Sequence, residues 1–289
     1  MSPEPALPAA RLWRALLELA LSEDLGPGDV TTELVIAPGR CGRARLEARA
    51  PLVVCGLEVA RAVFAALDPE LGFAARARDG ERAGPGQPLA HLEGPLRAIL
   101  AGERTALNFL GRLCGVATFA RRFVDAVEGT GVRIVDTRKT LPGWRALDKY
   151  ATAVGGAANH RGGLFDGILL KDNHVALAGG VALAVKAARA GAPANLRVQV
   201  EVESEEQALE AVEAGADFLL LDNRTPEELR RIAKRVAGRA LLEASGGVTL
   251  ENVRRVAETG VQRISVGALT HSAPAADVAL EVEAGGVAG

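Results

Sequence analysis

Aromatic residues are scarce in this chain, 3% of 289 residues, which leaves few platforms on which nucleic-acid bases could stack. Excess charge is lacking too: the net value is −2 at pH 7, so no global field recruits nucleic acid or an anionic membrane. No apolar run reaches the ~18 residues that a membrane-spanning helix requires. The N-terminal stretch MSPEPALPAARLWRALLELAL carries Glu4, Arg11, Arg14 and Glu18 through its apolar part, unlike a secretion signal. Cysteine is limited to Cys41, Cys55 and Cys114, odd in number, widely spaced and without a CxxC pair. Reduced thiols in a cytoplasmic protein are expected from this, rather than a disulfide frame or a zinc site. Lysine is the scarcest cation: among 34 Lys plus Arg, the lysines are Lys139, Lys149, Lys171, Lys186 and Lys234. Arginine is the default surface cation here, and a lysine at a strand end stands out.

What is present is ordinary for a soluble enzyme: 48% hydrophobic and 24% charged residues, in a chain long enough for one large domain or two unequal ones. Residues 10–22 alternate apolar and charged at helical spacing, and Gly26-Pro27-Gly28 ends the pattern. From 40 to about 100 the segments are short and broken by Gly and Pro, as in CGRARLEARAPLVVCG and GFAARARDGERAGPGQPLAHLEG, which read as strands and turns. The second of these resembles a biotinyl-type sandwich but has no lysine to carry a prosthetic group, so it reads as scaffold. Residues 96–129 read as helix, with Gly111 and Gly115 as weak points.

A different rhythm follows. Strand candidates VRIVD (132–136), FDGILLK (165–171), RVQVEVE (197–203), ADFLLLD (216–222), RALLEAS (239–245) and QRISVG (262–267) recur, with helix-like segments between them. Repeated β-then-α units imply parallel strands, and so many in series suggest an α/β barrel, even an incomplete one. The alternative is a doubly wound sheet, but no GxGxxG follows a strand.

The residues that end these strands are Arg138 and Lys139, Lys171, Glu201, Asp222, Ser245-Gly246-Gly247, and Gly267. Each taken alone reads as a solvated loop or a helix cap; Asp222 could cap the helix that starts near Thr225-Pro226. In a barrel, however, they share the rim where such enzymes place their chemistry. Three cations, two carboxylates and two small-residue turns on one rim call for ligands between them. The SGG and VGA turns suit a phosphate, and Glu201 with Asp222 suits Mg²⁺, which prefers carboxylates, water and substrate phosphates. His160 and Arg161 lie in GGAANHRGGLFDG, a loop whose glycines let backbone approach a ligand.

Long blocks carry a family resemblance: EDLGPGDVTT (23–32), ERTALNFLGRLCGVAT (103–118), DTRKTLPGWRALDKYA (136–151), GGAANHRGGLFDGILLKDNH (155–174), VEVES (200–204), LLLDN (219–223) and LEASGGV (242–248). The chain resembles the quinolinate phosphoribosyltransferases, or carboxylating nicotinate-nucleotide pyrophosphorylases. The resemblance implies an N-terminal α/β sandwich domain, here 1–107, and an incomplete, seven-stranded α/β barrel, here 108–269, with the tail 270–289 packing back on the first. It implies a homo-oligomer, dimer or hexamer, in which Arg104 reaches into the partner's site. The substrates implied are quinolinate and phosphoribosyl pyrophosphate, with Mg²⁺ as cofactor. Quinolinate's carboxylates would meet Arg138, His160, Arg161, Lys171 and the partner's Arg104. Lys139 with Lys171 would face the pyrophosphate, Thr137 would sit beside them at the substrate, and Glu201 and Asp222 would hold magnesium and the ribose hydroxyls. Ser245, Gly246, Gly247, Val266, Gly267 and Ala268 would cradle the 5-phosphate.

Three rivals differ in what they require. A Schiff-base enzyme would use Lys171 as its nucleophile but leaves Glu201, Asp222 and the arginines without a task. A phosphorylated-effector binder needs the phosphate turns and not the carboxylates. A molybdenum-transport-associated relative would share the fold without the substrate.

Overall fold

The computed structural model describes residues 5–283. Its first six strands in chain order are β1 (Cys41–Ala48), β2 (Leu52–Val53), β3 (Gly72–Ala75), β4 (Arg82–Ala83), β5 (Pro88–Pro95) and β6 (Arg133–Val135). The remaining described strands are β7 (Ile168–Leu170), β8 (Val198–Val202), β9 (Phe218–Asp222), β10 (Leu241–Ser245), β11 (Arg263–Ser265) and β12 (Val278–Val282). Two compact units result. One holds residues up to 121, then 140–156, then those from 270 onward; the other holds 122–139 and 157–269.

In the first unit an antiparallel sheet runs β12-β1-β5-β3, with Leu46 opposite both Leu280 and Ala90. Its buried face meets the helices Arg14–Leu25, Leu57–Leu67 and Leu96–Ala126 in one apolar cluster that includes Leu17, Phe64, Phe109, Leu113 and Leu92. The glycines of the 31-residue helix Leu96–Ala126 serve as contact points, not weak points. A Cβ at Gly115 would lie 2.2 Å from the Pro274 carbonyl oxygen, and one at Gly111 3.2 Å from that of Ala276. Their absence lets the 274–276 backbone lie against the helix. Arg112 on the same helix grips the fully buried Asp148 carboxylate with two 3.0 Å hydrogen bonds and also donates to the Thr270 carbonyl. These contacts explain why the units divide differently from the 1–107 and 108–269 expected from sequence. The helix runs unbroken through residue 107, and Arg145–Val154 is tied to it by Asp148. Of the tail 270–289, residues 278–282 pair with β1, and 284–289 lie outside the described residues.

The second unit is a six-stranded parallel sheet in the order β6-β11-β10-β9-β8-β7. All six strand candidates are present. Apart from β6 lying beside β11, neighbours in the sheet are neighbours in sequence, which is the order of a barrel opened between β6 and β7. A doubly wound sheet would reverse direction at a switch point, and no such reversal occurs among the described strands. The seventh strand of the resemblance is reduced to one parallel bridge, Ala158 against Val135, held by Ala158 N–H to Ile134 O at 2.8 Å and Asp136 N–H to Ala158 O at 3.1 Å. Between strands, helices start where the sequence caps them. Ser204 Oγ accepts from Gln207 N–H, and Thr225 with Glu228 forms a reciprocal capping box in front of Pro226. Thr225 is thus the cap, and Asp222 has another task.

Candidate active site

Parallel strands point alternate residues to one face, and the register aligns those residues between neighbours. Glu201 pairs with Leu220, Leu220 with Glu243, and Glu243 with Arg263, while Asp222 pairs with Ser245 one step further on. A cleft of about 300 Å³ opens at these carboxyl-terminal strand ends. Thr137, Arg138, Lys139, His160, Arg161, Lys171, Glu201, Asp222 and Ser245 all line it. Residues from six separate chain segments therefore meet as the strand-end pattern implies.

Gly246 and Gly247 follow β10 directly, and Val266, Gly267 and Ala268 follow β11, but they do not line this cavity. Gly246 has φ +84°, and a Cβ there would lie 2.1 Å from Asn223 Oδ1, so glycine is required for both conformation and space. Arg104 is an exposed residue of the helix Leu96–Ala126 in the first unit and is not among the cleft residues.

The charges within the cleft perturb one another. Burial, then repulsion from Arg138, draws the Arg161 guanidinium below the ordinary arginine value. Its Nη1 donates to Gly167 O at 3.1 Å, which helps to aim it. Glu201 is raised above the usual carboxylate value, by burial first; Lys171 opposes the rise and Asp222 adds to it. Like charges held this close are stabilised by a bound counter-charge: an anion between the cations, a cation between the carboxylates. Among the described residues no group of three or more His, Cys, Asp or Glu converges on a metal position. The donor set is two carboxylates, which fits a hard cation that keeps water and takes substrate oxygens. Lys171 is exposed, so the desolvation that activates a Schiff-base lysine is missing.

Three residues escaped sequence reasoning. Asp136 is fully buried and accepts the His160 backbone N–H at 2.7 Å. Gln199 and Glu243 are buried on the inner strand face, Gln199 Oε1 lying 3.0 Å from His160 Nε2 and Glu243 Oε1 3.5 Å from it. Gln199 and Glu243 each lie two positions before a strand-end residue of the site, Glu201 and Ser245, and so on the same strand face.

Fold and cleft together define an α/β-sheet protein that binds a polyanionic ligand at the carboxyl ends of its strands. Two family models match: the N-terminal domain of quinolinate phosphoribosyl transferase over residues 29–114 and its C-terminal domain over 116–281. The chain belongs to the quinolinate phosphoribosyltransferase family. It is 40% identical over 269 residues to a probable carboxylating nicotinate-nucleotide pyrophosphorylase of Bacillus subtilis, covering 93% of both chains. It is 41% identical over 279 residues to the carboxylating nicotinate-nucleotide pyrophosphorylase of Homo sapiens, covering 95% of this chain and 93% of that one. Among solved structures, the nicotinate-nucleotide pyrophosphorylase from Francisella tularensis superposes with a TM-score of 0.91 at 35% identity, over 98% of this chain and all of the other.

Proposed function

We propose that this chain transfers the phosphoribosyl group of phosphoribosyl pyrophosphate to quinolinate with loss of CO₂, giving nicotinate mononucleotide and pyrophosphate for NAD biosynthesis. The observation that carries the reading is the cleft lined by Arg138, Arg161, Lys171, Glu201 and Asp222, in which Arg138 perturbs Arg161 while Lys171 and Asp222 perturb Glu201. A planar acid with two adjacent carboxylates answers the cations, and a polyphosphorylated sugar answers the rest. Arg138, His160, Arg161 and Lys171 bind the quinolinate carboxylates, joined by the partner subunit's Arg104 in a dimer or hexamer of a cytoplasmic enzyme. Lys139 faces the pyrophosphate. Ser245, Gly246, Gly247, Val266, Gly267 and Ala268 hold the 5-phosphate beyond the strand ends. Glu201 and Asp222 would hold Mg²⁺ and the ribose hydroxyls, and the ion when bound neutralises charge building on pyrophosphate oxygens.

The chemistry follows from placement. The pyridine nitrogen forms its bond to ribose C1 as the C1–O bond to pyrophosphate breaks, the electron pair leaving with pyrophosphate. Lys139 stabilises that departing charge, while Glu201 and Asp222 lie where C1 gains oxocarbenium character. Alkylation makes the ring nitrogen cationic, so the C2–carboxylate bond can break to CO₂ and the carbon take up a proton. Positioning and preorganised charge supply the rate enhancement, and no covalent enzyme intermediate is needed. An assay with quinolinate, phosphoribosyl pyrophosphate and Mg²⁺ tests the proposal. Nicotinate mononucleotide and CO₂ in equal amounts, abolished by excess EDTA, are expected; no nucleotide product would overturn the reaction, and full activity in EDTA would remove magnesium from it.

A further inference from the structure

His160 stands in the cleft with both ring nitrogens engaged. Its Nδ1 accepts the Arg161 backbone N–H at 2.8 Å, so the proton of the neutral ring is on Nε2. That N–H faces Gln199 Oε1 at 3.0 Å, with Glu243 Oε1 behind it at 3.5 Å. Glu243 is 1% exposed, and its other oxygen lies 3.1 Å from Arg263 Nε, itself stacked 4.9 Å above the Phe218 ring. Neither Glu243 oxygen makes a well-aligned hydrogen bond, so its ion pair is with Arg263, and toward His160 it offers its field to the Nε2–H dipole. A buried carboxylate is costly to retain unless it is paired, and Arg263 supplies that pair.

We propose that Gln199 and Glu243 are positioning residues for substrate binding: packed against His160, they hold it as its neutral, Nε2-protonated tautomer, and His160 in turn holds the Arg161 backbone so that the guanidinium meets a quinolinate carboxylate. The resemblance has the His160 ring meet that carboxylate, and the ring lines the cleft while it is held by Arg161 and Gln199. Asp136 secures the same turn from the other side through the His160 N–H. The chain of contacts runs Glu243 and Gln199, His160, Arg161, substrate. This deepens the proposed function and rests on it for the identity of the acid, but the state of the ring does not depend on which acid binds.

The test has two arms. In ligand-free protein labelled with ¹⁵N-histidine, the His160 signals, assigned by their loss in His160→Asn, should show at pH 7.5 a protonated Nε2 and an unprotonated Nδ1. An imidazolium, or a proton on Nδ1, overturns the proposal whether or not quinolinate is a substrate. In the second arm, Gln199→Leu removes the acceptor of the Nε2–H and should let the ring turn away from the Arg161 N–H. It should raise KM for quinolinate at least about tenfold, a change of ~1.4 kcal/mol, while KM for phosphoribosyl pyrophosphate moves less than about twofold. A folded variant with unchanged quinolinate KM, or with both KM values raised together as general loosening would cause, contradicts it. Should Gln199→Leu fail to fold, Glu243→Gln keeps the side-chain volume and is read by the same two measurements, with the same outcomes required. Absence of any turnover in wild type with the expected ring state would fault the proposed reaction and leave the ring assignment standing.

Discussion

At the scale of residues, the site is a set of compromises between folding and binding, and Glu201 shows the direction. Burial and Asp222 raise its pKa in the folded protein above the ordinary glutamate value of 4.5. The native state therefore holds this proton more tightly than the unfolded chain, and stability falls as pH rises from about 4.5 through the folded-state value. Glu201→Gln carries no such charge. The variant should be more stable than wild type at pH 7 in EDTA, with a gap that closes as pH drops below 4.5, read from urea midpoints. A gap independent of pH would mean that Glu201 is not strained by its surroundings. Much of the site was legible at this scale because its charges sit where apolar strands stop: Arg138, Lys139, Lys171, Glu201 and Asp222 all line the cleft. Gln199 and Glu243 were not, because in a buried parallel strand every position is expected to be apolar, and nothing in one strand's sequence tells which face carries a polar pair. Asp136 was visible as a charge after VRIV, but its partner, the His160 backbone, is 24 residues away in sequence.

At the scale of elements, the helix Leu96–Ala126 shows how composition misleads. Glycine in a helix interior costs about 1 kcal/mol relative to alanine, so Gly111 and Gly115 read as places where the helix should fail. Packing reverses the sign, because the 274–276 backbone occupies the space that side chains would take. Gly115→Ala should lower Tm despite the propensity gained, since overpacking of this kind costs ~1–3 kcal/mol. Gly111→Ala, with its contact at 3.2 Å against 2.2 Å, should cost less. Calorimetry on both variants checks the order; a stabilised Gly115→Ala would mean that the 274–276 segment moves aside freely. The strands of the second unit were readable from their spacing and apolar runs. The division into units was not, since it depends on Arg112 reaching Asp148, 36 residues further along the chain.

At the scale of the whole molecule, a net charge of −2 coexists with a cleft that concentrates cations, so recognition is local. If the partner subunit's Arg104 completes that cleft, Arg104→Ala and Lys171→Ala should each be nearly inactive alone. Mixed and allowed to exchange subunits, they should regain activity, because one site per mixed dimer receives both native residues; no recovery despite verified exchange would contradict the shared site. The central claim is that the cleft reads two carboxylates. Nicotinate offers one, so the cleft cations lose a carboxylate that quinolinate brings, and truncating one partner of a buried charge pair costs ~2–5 kcal/mol, where each ~1.4 kcal/mol is a factor of ten. The most direct measurement is kcat/KM for quinolinate and for nicotinate with the same phosphoribosyl pyrophosphate supply. A preference for quinolinate of at least roughly a hundredfold is expected, eroded in Arg161→Ala; equal values on the wild-type protein would contradict a cleft that reads two carboxylates.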